Sequence, residues 1–293
     1  MDGSIRTGNV GANFMGITRD EIKKVVLAED DFGHEMRVEG ILRSVKPAGS
    51  FNPSRISPPS HGGTYKDPVT KKPRQFDFRF RIASGLPKPS RNLLLALECK
   101  NLNPDFPLVV CGRPRSRDES YHVFLQGAPQ EYASARIVQG AGSIYKPNDF
   151  VGKSSFRLKQ KQGSLCKDSD AEIYDRWTQA VASCNDLCLE AANRVPLENI
   201  STFVMPIVVI PDNALWIASY DESGQLSADP MQVEKCDYYV DHRIEMNFSF
   251  VLTHIHFMTL KALSQMLSEF ADGDFWQWDR IFDGGSEFIP GRL

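Results

Sequence analysis

The chain has 293 residues, of which 41% are hydrophobic, so it is long enough to bury a sizeable core and is not disordered as a whole. No stretch approaches the roughly 18 consecutive apolar residues of a membrane helix, and the first residues lack the basic start and apolar run of a secretory signal. We therefore expect a soluble, cytoplasmic protein with no membrane segment. Six widely spread cysteines without an export signal are expected to be reduced thiols.

The charge is distributed unevenly along the chain. The formal net charge is -3, but the segment 43–117 holds 15 Lys or Arg against four acidic residues, a charge of +11, and the remainder carries -14. Such a basic segment is expected of a surface that contacts a phosphate backbone. A solvated, loop-rich surface is the alternative interpretation, because lysines are common near turns.

The first part of the chain predicts an arm, a short helix and a loop. Residues 1–29 begin with a Gly-rich stretch without periodicity, which predicts an N-terminal arm. From about residue 32 to 45, apolar residues at helical spacing predict an amphipathic helix, with Glu35 at the edge of its buried stripe. The density of Pro, Gly and Ser from 47 to 73 predicts turns and a long loop.

Two strand patterns follow this loop. In residues 75–82 apolar and polar residues alternate strictly, which predicts a strand with one apolar face made by Phe76, Phe78, Phe80 and Ile82. Asp77 lies on the other face. Residues 93–97 form an aliphatic run typical of a strand buried on both faces, and the run ends in the charged residues Glu98 and Lys100.

The rest of the chain predicts further strands and helices. The predicted elements are a short strand at 121–125, a helix at 171–192, strands at 202–210, 214–220 and about 244–252, and a last helix at about 253–270. Together these patterns predict an α/β fold with a mixed central β-sheet flanked by helices. We expect a core domain at 30–222 and a strand-helix extension at 223–293 that packs on it.

Charged residues that end an aliphatic strand need a reason. Glu98 and Lys100 point to the same face of their strand, and antiparallel pairing with the preceding strand would bring Asp77 to Glu98. Two converging carboxylates are stabilised by a divalent cation, and their hard oxygens suit Mg²⁺, or Mn²⁺ in its place. A nearby lysine would orient the attacking water and stabilise charge on phosphorus. The alternative is a salt bridge at a strand end.

The order of these features resembles the PD-(D/E)XK, or restriction-endonuclease-like, superfamily. The features are a helix with Glu35, a strand with Asp77, a strand with Glu98-x-Lys100, a later amphipathic helix and a further strand. The segments GTYKDPVTKKPRQFDFRF and LLLALECKN resemble the corresponding strands of uncharacterised bacterial nuclease-like proteins. The resemblance implies a restriction-endonuclease-like core and covers residues 30 to about 220.

The resemblance also implies roles for individual residues. Asp77 and Glu98 would bind Mg²⁺ together with the backbone carbonyl of Cys99, and Lys100 would act on the attacking water. Glu35 would add a helix carboxylate, a role for which Glu39 is the rival. The implied activity is metal-dependent hydrolysis of nucleic acid, DNA in preference to RNA, leaving 5′-phosphate and 3′-hydroxyl ends, in restriction or anti-phage defence. Double-strand cleavage would require a homodimer or successive nicking.

Other residues fit the superfamily pattern less well. Phe76 stands in place of the proline before the aspartate, and Gln75 stands where related sequences often carry an acid. Gln179 could be the superfamily's helical glutamine, but the apolar stripe of its helix places it on the opposite side, so we leave it out of the site.

Two further pairs could bind a metal. Cys184 and Cys188 have i, i+4 spacing, but both lie on an apolar stripe, so we interpret them as core residues. His254 and His256 lie at the start of a helical pattern without acidic or cysteine companions, so a zinc site is not predicted.

Two other functional classes remain open. One is a nucleic-acid-binding module that keeps the fold without cleaving, and the other is a protein-interaction subunit whose basic segment serves a partner protein. Trp276 and Trp278 could stack on bases, but a hydrophobic seal or a dimer contact is the commoner role of such a pair.

Overall fold

The computed structural model describes residues 17–28, 31–47, 54–67, 70–84, 90–127, 133–168, 171–198, 200–272 and 275–283. The chain forms two compact units, Met1–Asp30 and Asp31–Leu293. The described helix of the first unit is α1, Arg19–Ala28. It begins with a reciprocal capping box, because the backbone N–H of Glu21 donates to the Thr18 hydroxyl at 3.2 Å and the Thr18 N–H donates to the Glu21 carboxylate at 2.8 Å.

The second unit combines helices with many strands. Its helices are α2 Asp31–Ser44, α3 Ala171–Glu198, α4 Leu260–Ala271 and α5 Phe275–Phe282. Its first eight strands are β1 Arg55–Ile56, β2 Ser60–His61, β3 Thr64–Lys66, β4 Pro73–Gln75, β5 Phe78–Ala83, β6 Ser90–Cys99, β7 Leu108–Pro114 and β8 Tyr121–Gln126. The others are β9 Ser134–Gln139, β10 Phe150–Lys161, β11 Ser164–Asp168, β12 Ile200–Ile210, β13 Leu215–Ser219, β14 Met231–Gln232, β15 Lys235–Glu245 and β16 Ser249–Thr259. Within the described ranges, no helix is both long and apolar enough to cross a membrane.

One large mixed sheet organises this unit. Its main path runs β1-β5-β6-β12-β16-β15-β10-β7-β13-β14, and β3 and β4 form a separate hairpin. Strands β6, β12 and β16 are mutually parallel, whereas β5 pairs antiparallel with β6. The predicted α/β class, with a mixed central sheet flanked by helices, is confirmed.

The two faces of the sheet bury different helices. On one face, Ala96 of β6 belongs to the same buried cluster as Cys184 and Cys188 of α3. On the other face, Leu95 and Leu97 cluster with side chains of α2, α4 and α5. Because strand side chains alternate between faces, Glu98 points to the α3 face. Each fully buried aliphatic side chain contributes about 1.5–3 kcal/mol, so both faces anchor β6 firmly.

The aspartate strand is shorter than predicted. The predicted strand at 75–82 is interrupted, because β4 ends at Gln75, β5 begins at Phe78, and Asp77 lies in a bend between them. The prediction that Phe76 shares a face with Phe78 is therefore wrong. The bend lets the Phe76 ring pack with Tyr65 instead. The guanidinium carbon of Arg79 lies 4.3 Å from the centroid of the Phe76 ring.

The last part of the chain also differs from prediction. Residues 253–259, predicted as helix, continue β16, and the predicted strand at 244–252 contains the turn between β15 and β16. The three apolar residues of 253–259 fit either structure, and parallel pairing of β16 with β12 decides for the strand. Helix α4 begins only after Thr259, whose hydroxyl accepts the Ala262 N–H at 3.3 Å.

Consequently, the segment 223–293 is not simply packed on a finished core. It supplies β15 and β16, and β16 lies beside β12 within the main sheet. Of the two tryptophans near its end, Trp278 is buried and packs edge-on against Phe270 at 5.4 Å between ring centroids. Trp278 is therefore a core residue and does not stack on bases, and the side chain of Trp276 lies outside the described residues.

Candidate active site

The end of β6 delivers a carboxylate into the protein interior. The side chain of Glu98 is fully buried, and neither of its oxygens has a hydrogen-bond partner among the described residues. A buried charged group without partners is costly, so it is either neutralised or compensated by a cation. The antiparallel register, with Phe78 opposite Leu97, places Asp77 beside Glu98 across the strand pair.

Asp77 is held by the backbone. Its Oδ2 accepts the N–H of Cys99 at 2.7 Å, and its own backbone carbonyl accepts the N–H of Gly62 at 3.1 Å. These two bonds tie the bend to the end of β6 and to the loop before β3. The carboxylate of Asp77 is thereby oriented, and Oδ1 takes part in none of the described hydrogen bonds or ion pairs.

Arg176 of α3 shows that the two carboxylates converge. Its Nη1 lies 3.7 Å from Asp77 Oδ2 and 3.8 Å from Glu98 Oε2, so one nitrogen serves both groups. Arg176 is not among the site residues predicted from the sequence. The available signal was a charged residue at the edge of the apolar stripe of the predicted helix, next to Trp177.

The electrostatics of the pair follow from burial. Burial first, and then the charge of Asp77, raise the pKa of Glu98 to about 9, while Arg176 acts in the opposite direction. Burial and the charge of Glu98 likewise raise the pKa of the nearby Tyr65 hydroxyl. Glu98 is therefore protonated near neutral pH unless a stronger cation reaches it, and a divalent ion at the pair would favour its ionised form.

Lys100 comes directly after β6. Its backbone N–H donates to the carbonyl of Val209 at 2.9 Å, which fixes the chain against β12, and its side chain is half-buried. The predicted role of Lys100 at the attacking water stays a prediction, as does the role of the Cys99 carbonyl as a metal ligand.

The helix carboxylates Glu35 and Glu39 both contact His61. Glu35 lies 3.2 Å from Nε2 of His61, and Glu39 lies 3.8 Å from Nδ1 of the same ring. Their helix, α2, packs with the odd-numbered side chains of β6, on the face opposite Glu98. No described hydrogen bond or ion pair joins Glu35 or Glu39 to Asp77 or Glu98, but burial first, and then the charges of Asp77, Glu35 and Glu98, raise the pKa of the Cys99 thiol. The role of a helix carboxylate in the site stays a prediction.

A polar cavity of about 300 Å³ opens beside the carboxylates. It is lined by Arg74, Gln75, Asp77, Arg176 and Gln179. The cavity places Gln179 near Asp77, although the sequence pattern had led us to leave Gln179 out of the site. Gln179 does lie off the apolar stripe of α3, but this polar side of the helix faces the bend that holds Asp77. The lining suits a polar or negatively charged group better than an apolar ligand.

The basic segment is partly neutralised within the fold. Six of its arginines form ion pairs with acidic residues: Arg43–Glu39, Arg74–Asp67, Arg79–Asp186, Arg91–Asp279, Arg113–Glu119 and Arg115–Asp237. The formal charge of +11 therefore overstates the basic surface. The exposed lysines Lys66, Lys71 and Lys72 are concentrated on the β3–β4 hairpin, the element that also carries two residues of the cavity.

The donor set fits a hard, partly hydrated cation better than zinc. Within the described part of the chain, no group of three or more His, Cys, Asp and Glu could hold a metal ion. Mg²⁺ commonly uses one or two carboxylates and keeps several waters, whereas zinc requires three or four protein ligands. The oxygens of Glu98, which make no hydrogen bond to a described residue, and the oriented carboxylate of Asp77 meet the Mg²⁺ requirement.

The other candidate metal pairs are structural. Cys184 and Cys188 are buried in the core, and burial raises the pKa of both thiols, so their metal-binding thiolate forms are disfavoured. All six cysteines are free thiols. His256 lies within β16 and, contrary to the sequence analysis, has an acidic companion, since its Nδ1 is 3.0 Å from Asp237. Its Nε2 is 2.8 Å from the Tyr145 hydroxyl.

Comparisons with known proteins do not assign the chain to a family. A scan against protein-family models and searches of curated proteins and of solved structures found no match.

Proposed function

We propose that the chain is a Mg²⁺-dependent nuclease that hydrolyses phosphodiester bonds of DNA at the Asp77–Glu98 pair. The observation that carries the proposal is Glu98, a fully buried carboxylate with no hydrogen-bond partner among the described residues, beside a second carboxylate held in place by the backbone. Burying two neighbouring carboxyl groups lowers the stability of the fold, so such a pair is not expected to serve stability. It is well suited to bind a divalent cation.

The residues of the chain would divide the work as follows. Asp77 and Glu98 would hold the cation, with Asp77 oriented by the N–H of Cys99. When bound, the ion would polarise a phosphoryl oxygen and stabilise the charge that develops there. Lys100, two residues beyond Glu98, would orient the attacking water and share in stabilising that charge.

The surroundings of the pair support a nucleic-acid substrate. The cavity beside Asp77 is polar and has arginine side chains in its lining, which matches a phosphate group. The exposed lysines of the β3–β4 hairpin, Lys66, Lys71 and Lys72, would contact neighbouring backbone phosphates. This arrangement reads the sugar-phosphate backbone and predicts no base preference.

A second candidate function is a nucleic-acid-binding module that does not cleave. Arg176 already supplies a positive charge to both carboxylates. If this arginine were the permanent partner of the pair, the same surface would bind backbone phosphates without hydrolysing them.

Nicking of supercoiled plasmid distinguishes the two functions. The wild type is compared with Glu98→Gln and Lys100→Ala in Mg²⁺, in Mn²⁺ and in EDTA, with Asp105→Asn and Lys161→Ala as exposed controls. We expect metal-dependent nicking that both site variants lose and both controls keep. Salt-sensitive DNA binding without nicking in either metal would instead support the second function, and nicking that survived both site substitutions would refute the first.

A further inference from the structure

Arg176 lies within ion-pair distance of both carboxyl groups of the site. Its Nη1 is within 3.8 Å of an oxygen of each carboxylate, and both separations exceed the length of a hydrogen bond. The guanidinium therefore contributes charge to the pair without the close, bidentate geometry of a permanent arginine–carboxylate bridge. A divalent ion bound to the same oxygens would be repelled strongly by a guanidinium at this distance.

The polar cavity beside Asp77 could accommodate the Arg176 guanidinium if it moved away from the carboxyl groups. Arg176 is half-buried and lines the polar cavity beside Asp77. Two other lining side chains are held by structural contacts, since Arg74 pairs with Asp67 at 2.6 Å and the Gln75 amide donates to the Gly62 carbonyl at 3.0 Å. The Gln179 side-chain amide takes part in none of the described hydrogen bonds. Arg176 and Gln179, one turn apart on α3, are thus the donors available to a ligand.

We infer that Arg176 is the substrate-phosphate ligand of this site and the competitor of its metal. When no metal is bound, its guanidinium stays beside Asp77 and Glu98. When a divalent cation takes that place, the guanidinium binds a backbone phosphate of the DNA in the cavity, beside Gln179. This inference rests on the proposed function, because the metal and the DNA belong to the same site.

The inference couples the binding of metal and substrate. A phosphate gives the displaced guanidinium a new anionic partner, so DNA should tighten metal binding, and metal should tighten DNA binding through Arg176 by the same factor. In EDTA the guanidinium stays with the carboxylates, and its removal should have little effect on DNA affinity. A general electrostatic contribution would not depend on metal in this way.

Calorimetric titration with Mn²⁺ alone tests the competition. Arg176→Gln should bind Mn²⁺ about tenfold or more tightly than the wild type, since one competing charge is removed. The control variant is Arg113→Gln, which removes a charge on β7 that is paired with Glu119. It should leave the Mn²⁺ affinity unchanged. Unchanged or weaker Mn²⁺ binding by a folded Arg176→Gln protein would overturn the inference. Should that variant fail to fold, Arg176→Met takes its place, since methionine also removes the charge and keeps much of the side-chain length, and an unchanged Mn²⁺ affinity there has the same meaning.

Fluorescence anisotropy with a phosphorothioate duplex oligonucleotide tests the second role. Arg176→Gln should bind the duplex about tenfold more weakly than the wild type in Mn²⁺ and within about twofold of it in EDTA. An equal loss in both conditions would overturn the inference. If the wild type nicks plasmid while Arg176→Gln leaves Mn²⁺ affinity unchanged, the inference alone fails. If neither protein binds Mn²⁺ at millimolar concentration, the proposed function fails with it.

Discussion

Glu98 should destabilise the fold at neutral pH, and its replacement by glutamine should show this directly. The carboxyl is fully buried, and burial with the charge of Asp77 raises its pKa to about 9. The unfolded chain has the ordinary value of 4.5. Between these two values the folded protein holds a proton that the unfolded chain releases, so the stability of the wild type falls as pH rises through this window.

The magnitude follows from the width of that window. Each pH unit between the two pKa values lowers the free energy of unfolding by up to about 1.4 kcal/mol. At pH 7.5 the accumulated cost reaches about 4 kcal/mol, and it stops growing above the folded pKa. Glutamine is neutral at every pH and nearly the same shape, so Glu98→Gln should match the wild type near pH 4.5 and exceed it at pH 7.5.

Urea unfolding in EDTA, followed by circular dichroism at pH 5, 6, 7 and 8, measures the difference. We expect the gap between Glu98→Gln and the wild type to widen with each step in pH, and we expect the exposed control Glu222→Gln to show no such trend. Mg²⁺ should then raise the stability of the wild type but not that of Glu98→Gln. A gap independent of pH, or a less stable variant at pH 7.5, would refute the reasoning about Glu98.

Three further substitutions test separate parts of the structure. Asp237→Asn should cost about 3–5 kcal/mol in urea unfolding, because the fully buried guanidinium of Arg115 loses its close charge partner and keeps only Asp149 at 4.0 Å; a loss below about 1 kcal/mol would contradict this. Asp77→Asn should abolish Mn²⁺ binding in calorimetry yet keep the melting temperature nearly unchanged, because the amide oxygen can still accept the Cys99 N–H. Lys72→Ala should reduce the slope of log affinity for duplex DNA against log salt by about 0.9, and an unchanged slope would place this lysine away from the DNA.

Local patterns accounted for the strands that carry the candidate site. The aliphatic run before Glu98 predicted a strand buried on both faces, and β6 has that burial. The alternation in Phe78, Phe80 and Ile82 predicted one apolar face, and all three side chains pack in one cluster. These predictions succeeded because side-chain alternation is a property of the extended backbone and needs no information from distant residues.

The same patterns misplaced elements where two structures fit one run of residues. Residues 253–259 are apolar enough for a helix or a strand, and pairing with β12 makes them a strand. In the sequence, Phe76 continues the apolar–polar alternation of the strand. In the structure, the bend at Asp77 directs its side chain into the small cluster with Tyr65. In both places the competing structure is decided by contacts with residues far away in the chain.

Residue patterns alone predict the α/β class, the antiparallel strand pair and the neighbouring positions of Asp77 and Glu98, because each depends on short-range periodicity and a short connection. They do not predict that Arg176 reaches both carboxylates, that Glu35 and Glu39 contact His61, or that most arginines of the basic segment are paired with acids. The contacts of Arg176 and His61 join residues remote in sequence, and they depend on how α3 and α2 pack on opposite faces of one sheet.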